Sequence, residues 1–171
     1  MLDVSKLTPF DDKGRVQMIV ESPRGSSIKF KYDDKRSLFT VSRSLALGLT
    51  YPFDWGFVPG TKSDDGDAVD AVCIHHETCF PGVLLPCRCL ALLEVDQQSS
   101  RGRVSNPRVI LAPAWDGGRS FDADMTLSDH AKAEIGQFFL SATLFTDKDA
   151  RIVGWRDHVS AENFIKSRRA S

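Results

Sequence analysis

What the chain lacks narrows the reading first. No apolar run approaches the ~20 residues that a membrane-spanning helix needs. No charge of one sign dominates: 22 lysines and arginines face 23 aspartates and glutamates, for a formal net charge of −1. A global basic field that would draw nucleic acid is therefore missing. Neither an internal repeat nor a low-complexity tract occurs in the 171 residues, so one domain spanning 1–171 is expected, long enough for a real core. The start, Met1 to Lys6, has no basic region followed by a long apolar stretch. No secretory signal is read there, and a cytoplasmic protein without membrane attachment is expected. Cysteine is scarce: Cys73, Cys79, Cys87 and Cys89 are the four. With His75 and His76 they raise the question of zinc. Their spacing is not that of a ribbon or finger, and Cys87 and Cys89 alternate along an apolar segment. They read as reduced thiols packed like small hydrophobes, which agrees with a reducing compartment.

What the chain does have is an acidic turn, Ser63-Asp64-Asp65-Gly66-Asp67-Ala68-Val69-Asp70, with four carboxylates in seven residues. The apolar run Ala71-Val72-Cys73-Ile74 follows, so the acids enter a buried strand. Gathering carboxylates is unfavourable unless a cation neutralises them, and hard Mg²⁺ or Ca²⁺ prefers oxygen ligands. A solvated acidic turn is the competing reading, because Asp and Gly are common turn residues. A calcium EF-hand fits poorly: counting from Asp65, its twelfth position is His76, and the flanks are not helical in pattern.

Strands are expected over Val16–Glu21, Ile28–Tyr32, Leu38–Val41, Ala71–His75, Cys87–Val95 and Arg108–Leu111, the first three as a small meander. Alternation in Ile28–Tyr32 puts Lys29 and Lys31 on one polar face. The aromatic, turn-rich segment Tyr51–Gly60 holds two prolines and is not helical. Gln97 to Pro107 is polar and is expected to form a mobile loop. Ser128 is positioned to cap a helix from Asp129 to about Leu140, with Ala131, Ile135, Phe138 and Phe139 on one side. Ser160 is expected to cap a second helix that turns Phe164 and Ile165 inward. Short strands followed by two helices indicate an α+β fold, a closed barrel with helices packed outside. His75, His76, His130 and His158 read as solvated or core-satisfied.

Four stretches together resemble the soluble family I inorganic pyrophosphatases: Val20-Glu21-Ser22-Pro23-Arg24-Gly25-Ser26-Ser27-Ile28-Lys29-Phe30; Arg43 with Tyr51-Pro52 and Trp55-Gly56-Phe57; Asp65-Gly66-Asp67-Ala68-Val69-Asp70; and Gly154-Trp155. The resemblance runs from about Val16 to Ile165. It implies a five-stranded OB-like barrel core with additional short strands and two packed C-terminal helices. It also implies Mg²⁺-dependent hydrolysis of inorganic diphosphate, in a homo-oligomer. Diphosphate repels nucleophiles until cations neutralise its oxygens and acidify a bound water, which calls for carboxylates and basic side chains together. By resemblance, Asp65, Asp70 and Asp67 bind metal, with Asp96 standing for a further ligand. Asp67 lies beside the attacking water as general base, and Glu21 supports the metal site through water. Lys29, Arg43, Arg108 and Trp55 face the substrate.

The chain also departs from the family pattern. Lys31 replaces a Glu, Trp55 a Tyr, Asn106 an Asp and Arg108 a Lys, while Ala142-Thr143 stands where a Tyr-Lys pair contacts phosphate. Losing negative charge near Mg²⁺ should weaken metal binding. This motivates an alternative, a diverged paralogue that binds metal or phosphate, or partners an active homologue, with little or no turnover.

Overall fold

The computed structural model describes residues 4–100, 102–114 and 126–170. Its strands are β1 (Val16–Ser22), β2 (Ile28–Asp33), β3 (Leu38–Ser44), β4 (Asp54–Val58), β5 (Val69–Cys73), β6 (Leu84–Ser99), β7 (Gly102–Ser105), β8 (Arg108–Pro113) and β9 (Arg151–Asp157). The helices are α1 (Asp129–Ala142) and α2 (His158–Ser167).

Five strands form a ring. In the order β1-β4-β5-β8-β6 each pairs with the next, and β6 returns to β1. β6 makes the closure possible because its 16 residues serve successive partners. Leu84–Cys87 pair with β1, Cys87–Leu93 with β8, Ala91–Asp96 with β9 and Asp96–Ser99 with β7. Residues facing into the ring come from all five strands: Met18, Val58, Ala71, Leu92 and Val109 are each at most 6% exposed. Ala161 and Ile165 of α2 join this interior. The outward residues Trp55, Val72, Leu93 and Ile110 are covered instead by Ile135 and Phe139 of α1. Gly56 is required where β1 and β4 meet, since a Cβ there would lie 1.8 Å from the Ile19 carbonyl oxygen.

The expected barrel and its two outer helices are present, and several local expectations need correction. β1 does not continue into a meander. It pairs with β4 and β6, while β2 and β3 form a separate ribbon that packs on the barrel through Tyr32, Phe39, Phe57 and Ile19. The Gln97–Pro107 segment is not a mobile loop. Its polar residues extend β6 and return as β7, pairing Asp96 with Ser105 and Ser99 with Gly102; Arg101 lies outside the described residues. β4 did not show as a periodic apolar run because all five of its residues are buried, and β9, which pairs with β6 outside the ring, has no buried residue to mark it. Ser128 caps α1 as expected, its hydroxyl accepting from the Ala131 N–H at 3.1 Å. α2 begins earlier than expected. Its cap is Asp157, whose Oδ1 accepts from the Ser160 N–H at 2.8 Å.

Candidate active site

The acidic turn is built by its own backbone. The Ser63 N–H donates to the Asp67 carbonyl at 2.7 Å, and the Gly66 N–H to the Ser63 carbonyl at 3.0 Å. Asp65 Oδ1 accepts from the Asp67 N–H at 3.1 Å. Gly66 adopts φ +92°, a left-handed conformation that favours glycine. One of the four acids is diverted: Asp64 is gripped by Arg168 at the end of α2, with Arg168 Nη2 2.8 Å from Oδ2. Asp65, Asp67 and Asp70 meet other partners.

Pairing sets where these three meet their partners. Asp70 precedes Ala71, which pairs with Val109, so Asp70 lies beside Arg108 on the barrel's outer face. Arg108 Nη1 is 3.0 Å from Asp70 Oδ2, and the guanidinium sits 5.8 Å from the Phe139 ring centroid. Asn106 Nδ2 donates to Asp65 Oδ2 at 2.9 Å. Lys31 reaches from β2 to Asp67, Nζ to Oδ2 at 2.7 Å. Each of the three aspartates is thus engaged by a side chain: Asp65 by Asn106, Asp67 by Lys31 and Asp70 by Arg108. The pairs differ in exposure: the Lys31 and Asp67 side chains are 50% and 60% exposed, those of Arg108 and Asp70 9% and 27%. The Lys31 contact is the easiest to exchange, since exposed ion pairs contribute only about 0–1 kcal/mol.

Glu21 stands behind this cluster. It is 8% exposed, and its Oε1 accepts from the Tyr32 N–H at 2.7 Å. Burial, with the Asp70 charge in support, pushes its carboxyl up to about 7, against the Tyr32 hydrogen bond and the charges of Lys29 and Lys31. Lys29 pairs across the ribbon with Arg43. Burial pushes the Lys29 ammonium below its ordinary value, while Asp70 pulls the other way. Arg43 donates from Nη2 to the Ala142 carbonyl at the end of α1, and from Nη1 to the Ser44 carbonyl at 3.2 Å. Tyr51, hydrogen-bonded to Ser22, is pushed up to about 12 by burial.

Two expected site residues are placed differently from these. Trp55 is 8% exposed under α1, its ring 4.5 Å from Phe139 and 5.4 Å from Tyr51 between centroids. Its surroundings make it first a packing residue. Asp96 sits where β6 pairs with both β7 and β9, opposite Ser105 and Arg151. Its neighbours Val95 and Gln97 are 2% and 3% exposed. Alternation turns Asp96 to the face opposite theirs, whereas Asp70 and Arg108 share the outer face with Val72 and Ile110. The structure brings Glu21, Lys29, Lys31, Asp65, Asp67, Asp70, Asn106 and Arg108 together, with Arg43 beside Lys29.

Comparison with known proteins agrees with this arrangement. The family model described as inorganic pyrophosphatase matches residues 18–171. The chain is similar to the inorganic pyrophosphatase of Synechocystis sp., 30% identical over 157 residues that cover 91% of this chain and 90% of that one. It is 31% identical over 165 residues to that of Aeropyrum pernix, covering 94% and 92%. Among solved structures it superposes on the inorganic pyrophosphatase from Thermus thermophilus with a TM-score of 0.86 at 27% identity, covering 98% of this chain and 97% of that one. The match extends over the ring, both helices and the acidic turn, and on this basis the chain belongs to the inorganic pyrophosphatase family.

Proposed function

We propose that the protein hydrolyses inorganic diphosphate to two phosphates by direct attack of water, with Mg²⁺ held at the acidic turn. The observation that carries this reading is the convergence of Asp65, Asp67 and Asp70 with Lys29, Arg43 and Arg108 at one end of the barrel's outer face. The donor set fits the ion. Asp65, Asp67 and Asp70 offer hard oxygen ligands of the kind that Mg²⁺ takes. Bound Mg²⁺ supplies charge neutralisation of the diphosphate oxygens and acidifies water.

The chain's own groups do the rest. Asp65 and Asp70 hold the cation. Asp67 accepts the proton of the attacking water, for which Lys31 must first release it; the exposure of that pair makes the release cost little. Arg43 and Arg108 bind phosphate oxygens through planar guanidinium groups, and Lys29 acts as a point charge. Glu21 orders water behind the turn. The relatives do not favour the non-hydrolysing alternative. A cytoplasmic location fits a protein in which, among the described residues, no helix is long and apolar enough to cross a membrane.

Phosphate release from diphosphate in the presence of Mg²⁺ tests the reading. Wild type should turn over, and Asp67→Asn should lose about 10²–10⁴-fold, the usual contribution of a positioned general base. Equal rates in the two proteins, or none in wild type, would remove the assignment.

A further inference from the structure

A second convergence of reactive side chains lies at the other end of the β4–β5 pair. Asp54 opens β4 and pairs with Cys73, the last residue of β5, whereas Asp70 pairs with Phe57 near the opposite end. The two sites are therefore separated along the strands by three residues, roughly 10 Å. They also face opposite ways: Cys73 belongs to the ring's interior, so its partner Asp54 points inward, while Asp70 points outward with Val72.

Three unlike donors meet there. The side chains of Asp54 and His75 are both 0% exposed, with His75 Nε2 2.8 Å from Asp54 Oδ2. Asp54 Oδ1 accepts from the Arg24 N–H at 2.7 Å, which fixes the plane of the carboxylate. The Cys79 thiol hydrogen-bonds to the same carboxylate. One ligand atom from each of the three lies within 4.8 Å of the others. Nothing in diphosphate hydrolysis uses this group.

We propose that Asp54, His75 and Cys79 form a second metal centre, specific for a borderline divalent ion such as Zn²⁺ rather than for Mg²⁺. A mixed thiolate, imidazole and carboxylate set suits zinc, whereas magnesium takes oxygen ligands alone. Bonds of about 2.0–2.3 Å around a tetrahedral ion spread its ligand atoms by about 3–4 Å, so the present cluster needs only small side-chain shifts. The Arg24 N–H on the second carboxylate oxygen supplies the outer support that metal ligands ordinarily have. Cys79 is only half-buried, so the ion has a path from solvent. On binding, sulfur gives up its proton to water and bonds the metal as thiolate. His75 binds through the Nε2 lone pair, its proton moving to Nδ1. The Nε2–H···Oδ2 hydrogen bond is replaced by two metal bonds. The ion would act as a clip, fastening the His75–Cys79 connection to the start of β4.

The test uses the full chain, reduced and freed of metal by chelation, titrated with Co²⁺ and read by absorption. Wild type should take up one equivalent that shows a thiolate-to-cobalt charge-transfer band, and Zn²⁺ should bleach it. Cys79→Ser and Cys79→Ala should both lack the band while keeping the wild-type circular dichroism spectrum, because Cys79 lies in a half-buried connection. Asp70→Asn should keep the band, which separates this centre from the acidic turn. No band in wild type, a band that survives removal of Cys79, or a band lost with Asp70 would each overturn the proposal. Any of these would leave the hydrolytic reading standing.

Discussion

Two carboxylates, Asp67 and Asp54, show how one barrel treats charge in opposite ways. Asp67 stands 60% exposed in a turn and meets a flexible lysine that is itself half exposed. Asp54 stands fully buried and meets an imidazole, a backbone N–H and a thiol. Burial pushes the Asp54 carboxyl up, but the hydrogen bonds from His75, Arg24 and Cys79 outweigh it and hold the group below the ordinary carboxylate value. The exposed pair of Asp67 with Lys31 can change partners at little cost. A fully buried carboxylate depends on the groups around it, and removing one of them costs much.

The comparison breaks most visibly on the buried side. His75→Ala should strip Asp54 of its main partner and destabilise the fold by about 3–5 kcal/mol in urea denaturation, as expected when one member of a buried pair is removed. Lys31→Ala should change stability by less than about 1 kcal/mol in the same measurement. Comparable losses in the two variants would erase the distinction.

Glu21 supplies the next effect, with a sign. Its folded carboxyl sits at about 7 against an ordinary 4.5, so the folded state holds a proton that the unfolded state releases. The contribution to stability is full below about 4.5 and is lost as pH rises through about 7. In metal-free protein, stability should fall by roughly 3 kcal/mol across that window. Glu21→Gln should flatten the fall; an unchanged slope would show that another group carries it.

On the substrate side the effects are smaller. Lys29→Ala and Arg43→Ala should each weaken diphosphate binding by about tenfold in calorimetry, because charge-assisted bonds to phosphate contribute roughly 1.5–3 kcal/mol. Solvated charges with no role would leave binding unchanged.

The acidic turn was largely legible in the sequence, and the meeting of Asp54 with His75 was not. Asp65-Gly66-Asp67-Ala68-Val69-Asp70 is contiguous, so its turn and its entry into β5 follow from local rules. Lys29 and Lys31 follow from strand alternation. Asp54 and His75 are 21 residues apart and meet only because Asp54 pairs with Cys73, a register that no local pattern encodes. His75 gave one weak sign, a polar residue just after an apolar strand, and a core-satisfied histidine was the natural reading. The same limit explains the fold. Ser128 announced α1 because a cap acts within one turn. Gln97–Pro107 read as a loop because its pairing to β7 buries little apolar surface and so leaves little trace in composition.

Mg²⁺ titrated by calorimetry into wild type, Asp70→Asn and Lys31→Glu tests the central claim most directly, that the acidic turn is a cation site whose affinity this chain's own side chains set. Wild type should bind saturably and Asp70→Asn at least about tenfold more weakly, as loss of a charged ligand oxygen requires. Lys31→Glu should bind more tightly than wild type, because it replaces the ammonium on Asp67 with a carboxylate. Equal binding in all three would contradict the account.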